Sequence, residues 1–195
     1  MAAGGLEAWR VFCAVELPER LREQVAGRAE RLRRSFPRVR ASWVRPESLH
    51  LTLKFVGEVG PARVEDLSDA AGRAAAGGGA FELTVEGAGT FPPHGPPRVL
   101  WLGVRDASGG LARLQSRLEG ECAAAGFARE PRAFSPHLTL ARVREPRDAR
   151  DLAAAHRETP FDPQTFAVNE LIVMRSELRP GGSHYTPVSR HQLSK

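Results

Sequence analysis

"LHLTLKF" (residues 49–55) and "SPHLTLAR" (residues 135–142) share the tetrapeptide His-Leu-Thr-Leu, and nothing else in this 195-residue chain repeats in that way. In a β-strand successive side chains point to opposite faces, so His50 and Thr52 share one face while Leu51 and Leu53 share the other. His137 and Thr139 stand in the same relation to Leu138 and Leu140. Each segment is expected to bury two leucines behind it and to present an imidazole and a hydroxyl in front. One such strand is ordinary amphipathic patterning. A second identical copy arises by chance roughly once in several hundred chains of this length. If the two strands face each other, their fronts meet in one groove holding two histidines and two threonines.

Outward from these strands the chain alternates short apolar runs with helical periodicity. "RVFCAVEL" (10–17) reads as a strand, and Pro18 opens a helix where its missing N–H costs nothing. Leu21, Val25, Leu32 and Phe36 recur at helical spacing up to the Pro37 break. Strands are expected at 39–44 and 48–57, then a helix at 61–76 that stops in Gly77, Gly78 and Gly79. Strands at 81–89 and 98–104, a helix near 109–125, the second His-Leu-Thr-Leu strand at 134–143 and a short helix near 148–157 come next. The run "FAVNELIVMRSEL" (166–178) reads as one strand, and a Pro-Gly-Gly turn at 180–182 leads into a last strand at 184–193. The expected fold is therefore α+β, one domain over 1–195. It consists of two similar lobes, each an antiparallel sheet flanked by helices, facing each other across a central groove.

No run approaches the 18 or more apolar residues of a membrane span, and "MAAGGLEAWR" lacks a basic-then-apolar secretory pattern, so a cytoplasmic location is expected. Cys13 and Cys122 have no C-x-x-C or finger spacing and read as buried small hydrophobes. The net charge of +5 favours an anionic partner such as nucleic acid. That signal is discounted because all of the 28 basic residues except Lys54 and Lys195 are arginine, as a GC-rich codon choice would give.

Two histidines and two hydroxyls without a carboxylate cluster narrow the chemistry. Neither strand supplies the third or fourth ligand that a metal site usually needs, so no metal and no cofactor are expected. A G-x-S-x-G nucleophile elbow is absent. Paired acid and base catalysis remains: one neutral imidazole takes a proton while the other, protonated, gives one, as breaking a P–O bond requires. The threonine hydroxyls two residues on would donate to the non-bridging phosphate oxygens. A strained five-membered cyclic phosphate is the ester most easily opened in this way.

With these residues the chain resembles the two-histidine (2H) phosphoesterases, which carry two H-x-[ST]-x motifs on opposed lobes. Within them it is most similar to the RNA 2',3'-cyclic phosphodiesterase, or LigT-type 2'-5' RNA ligase, family. The resemblance rests on "RVFCAVELP", "LHLTLKFVGEV", "PRVLWLGV", "FSPHLTLARV" and "GGSHYTPVSR". It implies hydrolysis of an RNA terminal 2',3'-cyclic phosphate to a 2'-phosphate, with RNA ends, tRNA-derived ones included, as the partner. It also implies His50 as general acid, His137 as general base, and Thr52 and Thr139 as phosphate holders. Arg142 matches an arginine near the phosphate, although strict alternation puts it on the face opposite His137, so the strand must end or twist there. Phe12 matches an aromatic that stacks a base.

Lys54 shares the expected face of His50 and could reach the RNA backbone, and Tyr185, beside the Gly-Gly turn, could line the groove. Trp43 and Trp101 read as core; His94, His156, His184 and His191 read as surface or capping groups. Other cyclic nucleotides, 2',5'-linked oligonucleotides and the reverse joining of RNA ends stay open as reactions of the same site. A module that grips RNA ends without turnover also stays open. A monomer is expected, since no self-complementary apolar helix stands out.

Overall fold

The computed structural model describes residues 8–180 and 182–194, apart from the side chains of residues 147 and 148. Residues 1–7, read above for a secretory pattern, and Gly181 of the expected turn lie outside the described residues. Nine strands, β1 (Trp9–Glu16), β2 (Ala41–Trp43), β3 (His50–Val59), β4 (Phe81–Phe91), β5 (Val99–Arg105), β6 (His137–Val143), β7 (Gln164–Val168), β8 (Glu170–Arg179) and β9 (Gly182–Gln192), are described. Four α-helices accompany them: α1 (Glu19–Ser35), α2 (Pro61–Ala76), α3 (Gly110–Ala124) and α4 (Arg150–Glu158).

The strands form two sheets, a four-stranded one ordered β3-β1-β8-β9 and a five-stranded one ordered β2-β6-β5-β4-β7. Every described pairing is antiparallel. Helix α2 packs on β8, β9 and β1, and α1 and α4 pack on the five-stranded sheet. Val11, Cys13 and Val15 of β1, Leu51 of β3 and Leu138 and Leu140 of β6 all enter one core with Leu67 of α2 and with Val25 and Ala29 of α1. Burying a leucine or valine of this kind contributes about 1.5–3 kcal/mol, which is why the apolar side of each His-Leu-Thr-Leu strand fixes its facing.

The expected single strand at 166–178 is two strands in two sheets. Its first part, β7, pairs with β4, and its second part, β8, pairs with β1. The chain changes sheet at Asn169, whose carbonyl accepts the Leu193 amide at 2.7 Å. The continuous apolar pattern hides this break, because both parts are buried in the same core. The sheets are therefore not the two halves of the sequence: β8 and β9 complete the sheet that β1 and β3 begin.

Two buried polar residues lock the five-stranded side. The Arg28 guanidinium donates to the carbonyls of His156 (2.6 Å), Thr159 (2.8 Å) and Pro160 (3.0 Å), satisfying the end of α4. His156, which the sequence places at the surface or in a capping position, is instead fully buried, its Nε2 donating to the Trp101 carbonyl at 3.0 Å. Cys13 and Cys122 are buried free thiols, in keeping with their apolar surroundings in the sequence.

Candidate active site

Strand β3 is the edge of its sheet and β6 lies next to the edge of the other, and the two meet across a groove of roughly 1200 Å³. His50, Thr52, His137, Thr139, Arg142 and Tyr185 all line it. The four motif residues come together as the alternation predicts, since Leu51, Leu53, Leu138 and Leu140 are buried.

Each motif strand then departs from alternation at the same place. In the β1–β3 ladder Ala14 pairs with Thr52 and Cys13 with Lys54, so Leu53 is skipped in a β-bulge. In the β5–β6 ladder Trp101 pairs with Thr139 and Leu100 with Ala141, so Leu140 is skipped in the same way. A bulge inserts one residue and reverses the facing of the residues after it. The residue five after each histidine is thus returned to the groove side, and the residue four after it is sent inward. This is how Arg142 comes to share the face of His137: the strand does not end, and the bulge supplies the expected local twist. The equivalent residue on the other strand is Phe55.

The bulge also corrects the expectation for Lys54. Its side chain points into the core, not along the groove, and is 1% exposed. Its ammonium donates to both carboxylate oxygens of Glu119 on α3 (2.9 and 2.8 Å) and to the Ala128 carbonyl (2.8 Å). All three ammonium donors are used. Lys54 therefore cannot reach an RNA backbone.

Phe12 is corrected as well. It faces the groove side of β1 but is 1% exposed, covered by its neighbours, so it offers no face to a base. Its ring lies 4.7 Å from that of His50 and 5.3 Å from that of Tyr185. Tyr185 stands edge-on to His50 at 4.8 Å. The two aromatics hold the imidazole between them. On the other strand Phe91 stands edge-on to His137 at 5.0 Å.

The repeat also includes the serine two residues before each histidine. His137 Nδ1 lies 2.7 Å from the Ser135 carbonyl oxygen, and the Ser48 backbone hydrogen-bonds the His50 ring and favours its protonated form. A carbonyl can only accept, so His137 carries its proton on Nδ1 and leaves Nε2 for the groove. Ser-x-His-Leu-Thr-Leu, six residues long, is thus the unit of the repeat, and the serine supplies its backbone rather than its hydroxyl.

Burial pushes both imidazoles below the usual histidine range, His50 to about 4. The Ser48 and Ser135 carbonyls oppose that shift. The neighbouring charges differ in sign: Glu16, opposite His50 on β1, favours its protonated form, whereas Arg142 disfavours protonation of His137. His156 is likewise pushed down to about 4 by burial.

These shifts make the stability of the fold depend on pH. The unfolded chain takes up protons on its histidines near pH 6.5, while folded His50 and His156 resist protonation until about pH 4. The unfolded state binds more protons between those values, so stability is complete above about pH 6.5 and falls as pH drops towards 4. The urea midpoint is expected to fall from about pH 7 to about pH 4.5. The fall is smaller in His156→Gln, and an equal fall in both proteins contradicts the assignment.

Comparison with known proteins finds relatives along nearly the whole chain. The model of the 2'-5' RNA ligase superfamily matches residues 18–180. An RNA 2',3'-cyclic phosphodiesterase of Methanothermobacter thermautotrophicus is 36% identical over 185 residues, covering 94% of this chain and 98% of the relative. That of Escherichia coli is 35% identical over 190 residues, covering 97% and 99%. The crystal structure of E. coli LigT complexed with 3'-AMP superposes with a TM-score of 0.79 at 33% identity, covering 97% of this chain and 100% of that one. No described helix is long and apolar enough to cross a membrane.

Proposed function

We propose that this chain, which belongs to the 2'-5' RNA ligase superfamily, hydrolyses RNA terminal 2',3'-cyclic phosphates to 2'-phosphates, with His50 and His137 as the proton-transfer pair. The relatives named RNA 2',3'-cyclic phosphodiesterase support the reaction class. The observation that carries the site assignment is the convergence of both Ser-x-His-Leu-Thr-Leu strands on one groove, with His137 held through Nδ1.

In this reading a water attacks phosphorus on the side opposite the ribose 3' oxygen. Neutral His137 takes the water proton at Nε2, and protonated His50 gives its Nε2 proton to the departing 3' oxygen. The P–O3' bond breaks, the new P–O bond forms, and phosphate stays on the 2' oxygen. The roles follow the local charges. Burial, reinforced by the Arg142 charge, keeps His137 neutral, and Glu16 together with the substrate's own negative charge works against the burial that lowers the proton affinity of His50. Thr52 and Thr139 donate to the non-bridging oxygens, and Arg142 offsets the charge that builds there in the transition state. Tyr185 orients His50 and shields it from water.

The reaction needs no metal in this account. Both proton transfers are assigned to the two imidazoles, which leaves an ion no step to perform. The same site run backwards joins RNA ends through a 2',5' linkage, but water at its ordinary concentration favours hydrolysis. We place the reaction in the cytoplasm, in a monomer, on cyclic ends such as those of cleaved tRNA.

The test is incubation of a short RNA bearing a 2',3'-cyclic phosphate with the protein in excess EDTA. A 2'-phosphate product at the rate seen without chelator is expected. Loss of activity on chelation, or a 3'-phosphate product, would overturn the mechanism; binding of the end without turnover would make the groove a phosphate grip.

A further inference from the structure

Beyond its bulge, β6 leads to two arginines, Arg142 and Arg144, that line the groove together with Ser42 of the edge strand β2. Ser42 pairs with Arg142, and the Arg144 amide donates to the Arg40 carbonyl at 2.8 Å, which carries the same register further. Arg40 therefore stands directly across from Arg144, two residues from Ser42 and on its side of the sheet. Like charges placed opposite one another destabilise a strand pair. Their partners offset little of this. Arg144 donates to a neutral group, the Ser42 hydroxyl, at 3.1 Å. Arg40 lies 3.2 Å from Glu145, but both side chains are at least half exposed, and an ion pair so open to water contributes little.

Charge on an edge strand also keeps other chains from pairing with it. Either sign serves that purpose, on either face of the strand. Here Arg40, Arg142 and Arg144 share one face, the one that leads to His137 and Thr139. The line His137, Thr139, Arg142, Arg144 runs out along β6 towards the open edge of the sheet. Its last two members stand about 6.6 Å apart, a step that suits successive phosphates of an extended strand.

We propose that Arg144 and Arg40 form a subsite for the backbone phosphates that precede the cyclic one, so that the protein prefers the end of an RNA strand to a free mononucleotide. Each guanidinium can grip a phosphate through two parallel N–H donors. Such contacts position the strand and carry no sequence information. The proposal rests on the reading of the groove as an RNA-end site and specifies which side of that end is held, and by what.

Two ligands without a bond to break test it apart from turnover: adenosine 2'-monophosphate, and a tetra-adenylate ending in a 2'-phosphate. Calorimetry on the wild type is expected to show the tetranucleotide binding roughly tenfold or more tightly. The slope of its log affinity against log salt should be steeper by roughly 0.7 for each upstream phosphate held. Arg40→Gln with Arg144→Gln erases both differences and leaves the mononucleotide affinity as it was. Glu145→Gln, which releases Arg40 from its competitor, tightens the tetranucleotide alone. Equal wild-type affinity for the two ligands overturns the proposal, as does a double variant that keeps the gain or a Glu145→Gln protein that loses it. Failure of the wild type to hydrolyse cyclic ends sinks the enzymatic reading instead, and leaves these binding outcomes to decide on Arg40 and Arg144.

Discussion

His50→Ala and His137→Ala are each expected to lower kcat on a cyclic-phosphate RNA by roughly a hundred- to ten-thousandfold, the usual contribution of a positioned acid or base. KM should move little, because Thr52, Thr139 and Arg142 remain to hold the phosphate. The two losses should not multiply. Once one proton can no longer be transferred in step with the other, the remaining imidazole has less to contribute, so the double variant should resemble the weaker single one. Stability points in the same direction: each imidazole is held neutral against its solvation preference by burial, so alanine should not unfold the protein. Single-turnover rates of the three variants check this. A variant that retains wild-type kcat removes that histidine from the reaction.

Lys54→Ala is expected to cost about 3–5 kcal/mol of stability, because it leaves the Glu119 carboxylate in the interior without its cation. The melting temperature should fall by roughly 10 °C for a chain of this size. The Lys54 side chain is 1% exposed and uses its donors inside the protein, so replacing both partners with apolar residues, as in Lys54→Met with Glu119→Leu, should recover most of the loss. That double variant separates two effects. If it folds and keeps its kcat, Lys54 serves only to anchor the strand. A single Lys54→Ala protein as stable as the wild type would show that the buried ion pair does not hold the bulge. Thermal melts of the three proteins decide between these outcomes.

The fold and the site are legible in the sequence to different depths. The repeated tetrapeptide carries both the strand assignment and the pairing of the two histidines, because burial of alternate leucines dictates which side the imidazoles take. The helices and their stops can be read from periodicity and glycine. The sheet change at Asn169 cannot, since a chain that leaves one sheet for another inside a shared core needs no break in its apolar pattern. The bulges leave no local signature either, as a skipped leucine looks like any other leucine. Arg142 holds the clue: its position conflicts with alternation, and the same five-residue offset from His50 points to Phe55. Lys54 and Phe12 are misplaced by alternation and resemblance for different physical reasons. The bulge carries one into the core, and Tyr185, His50 and Phe55 crowd around the other.

The most direct measurement is the pH dependence of kcat for the wild type, His50→Ala and His137→Ala on one cyclic-phosphate RNA. A pair in which one imidazole must be charged and the other neutral gives a bell for the wild type. The residual activity of His50→Ala should lack the alkaline fall, since the acid is gone, and that of His137→Ala should lack the acidic fall. Profiles that keep both limbs in both variants would contradict the central claim that the two His-Leu-Thr-Leu strands form one proton-transfer site.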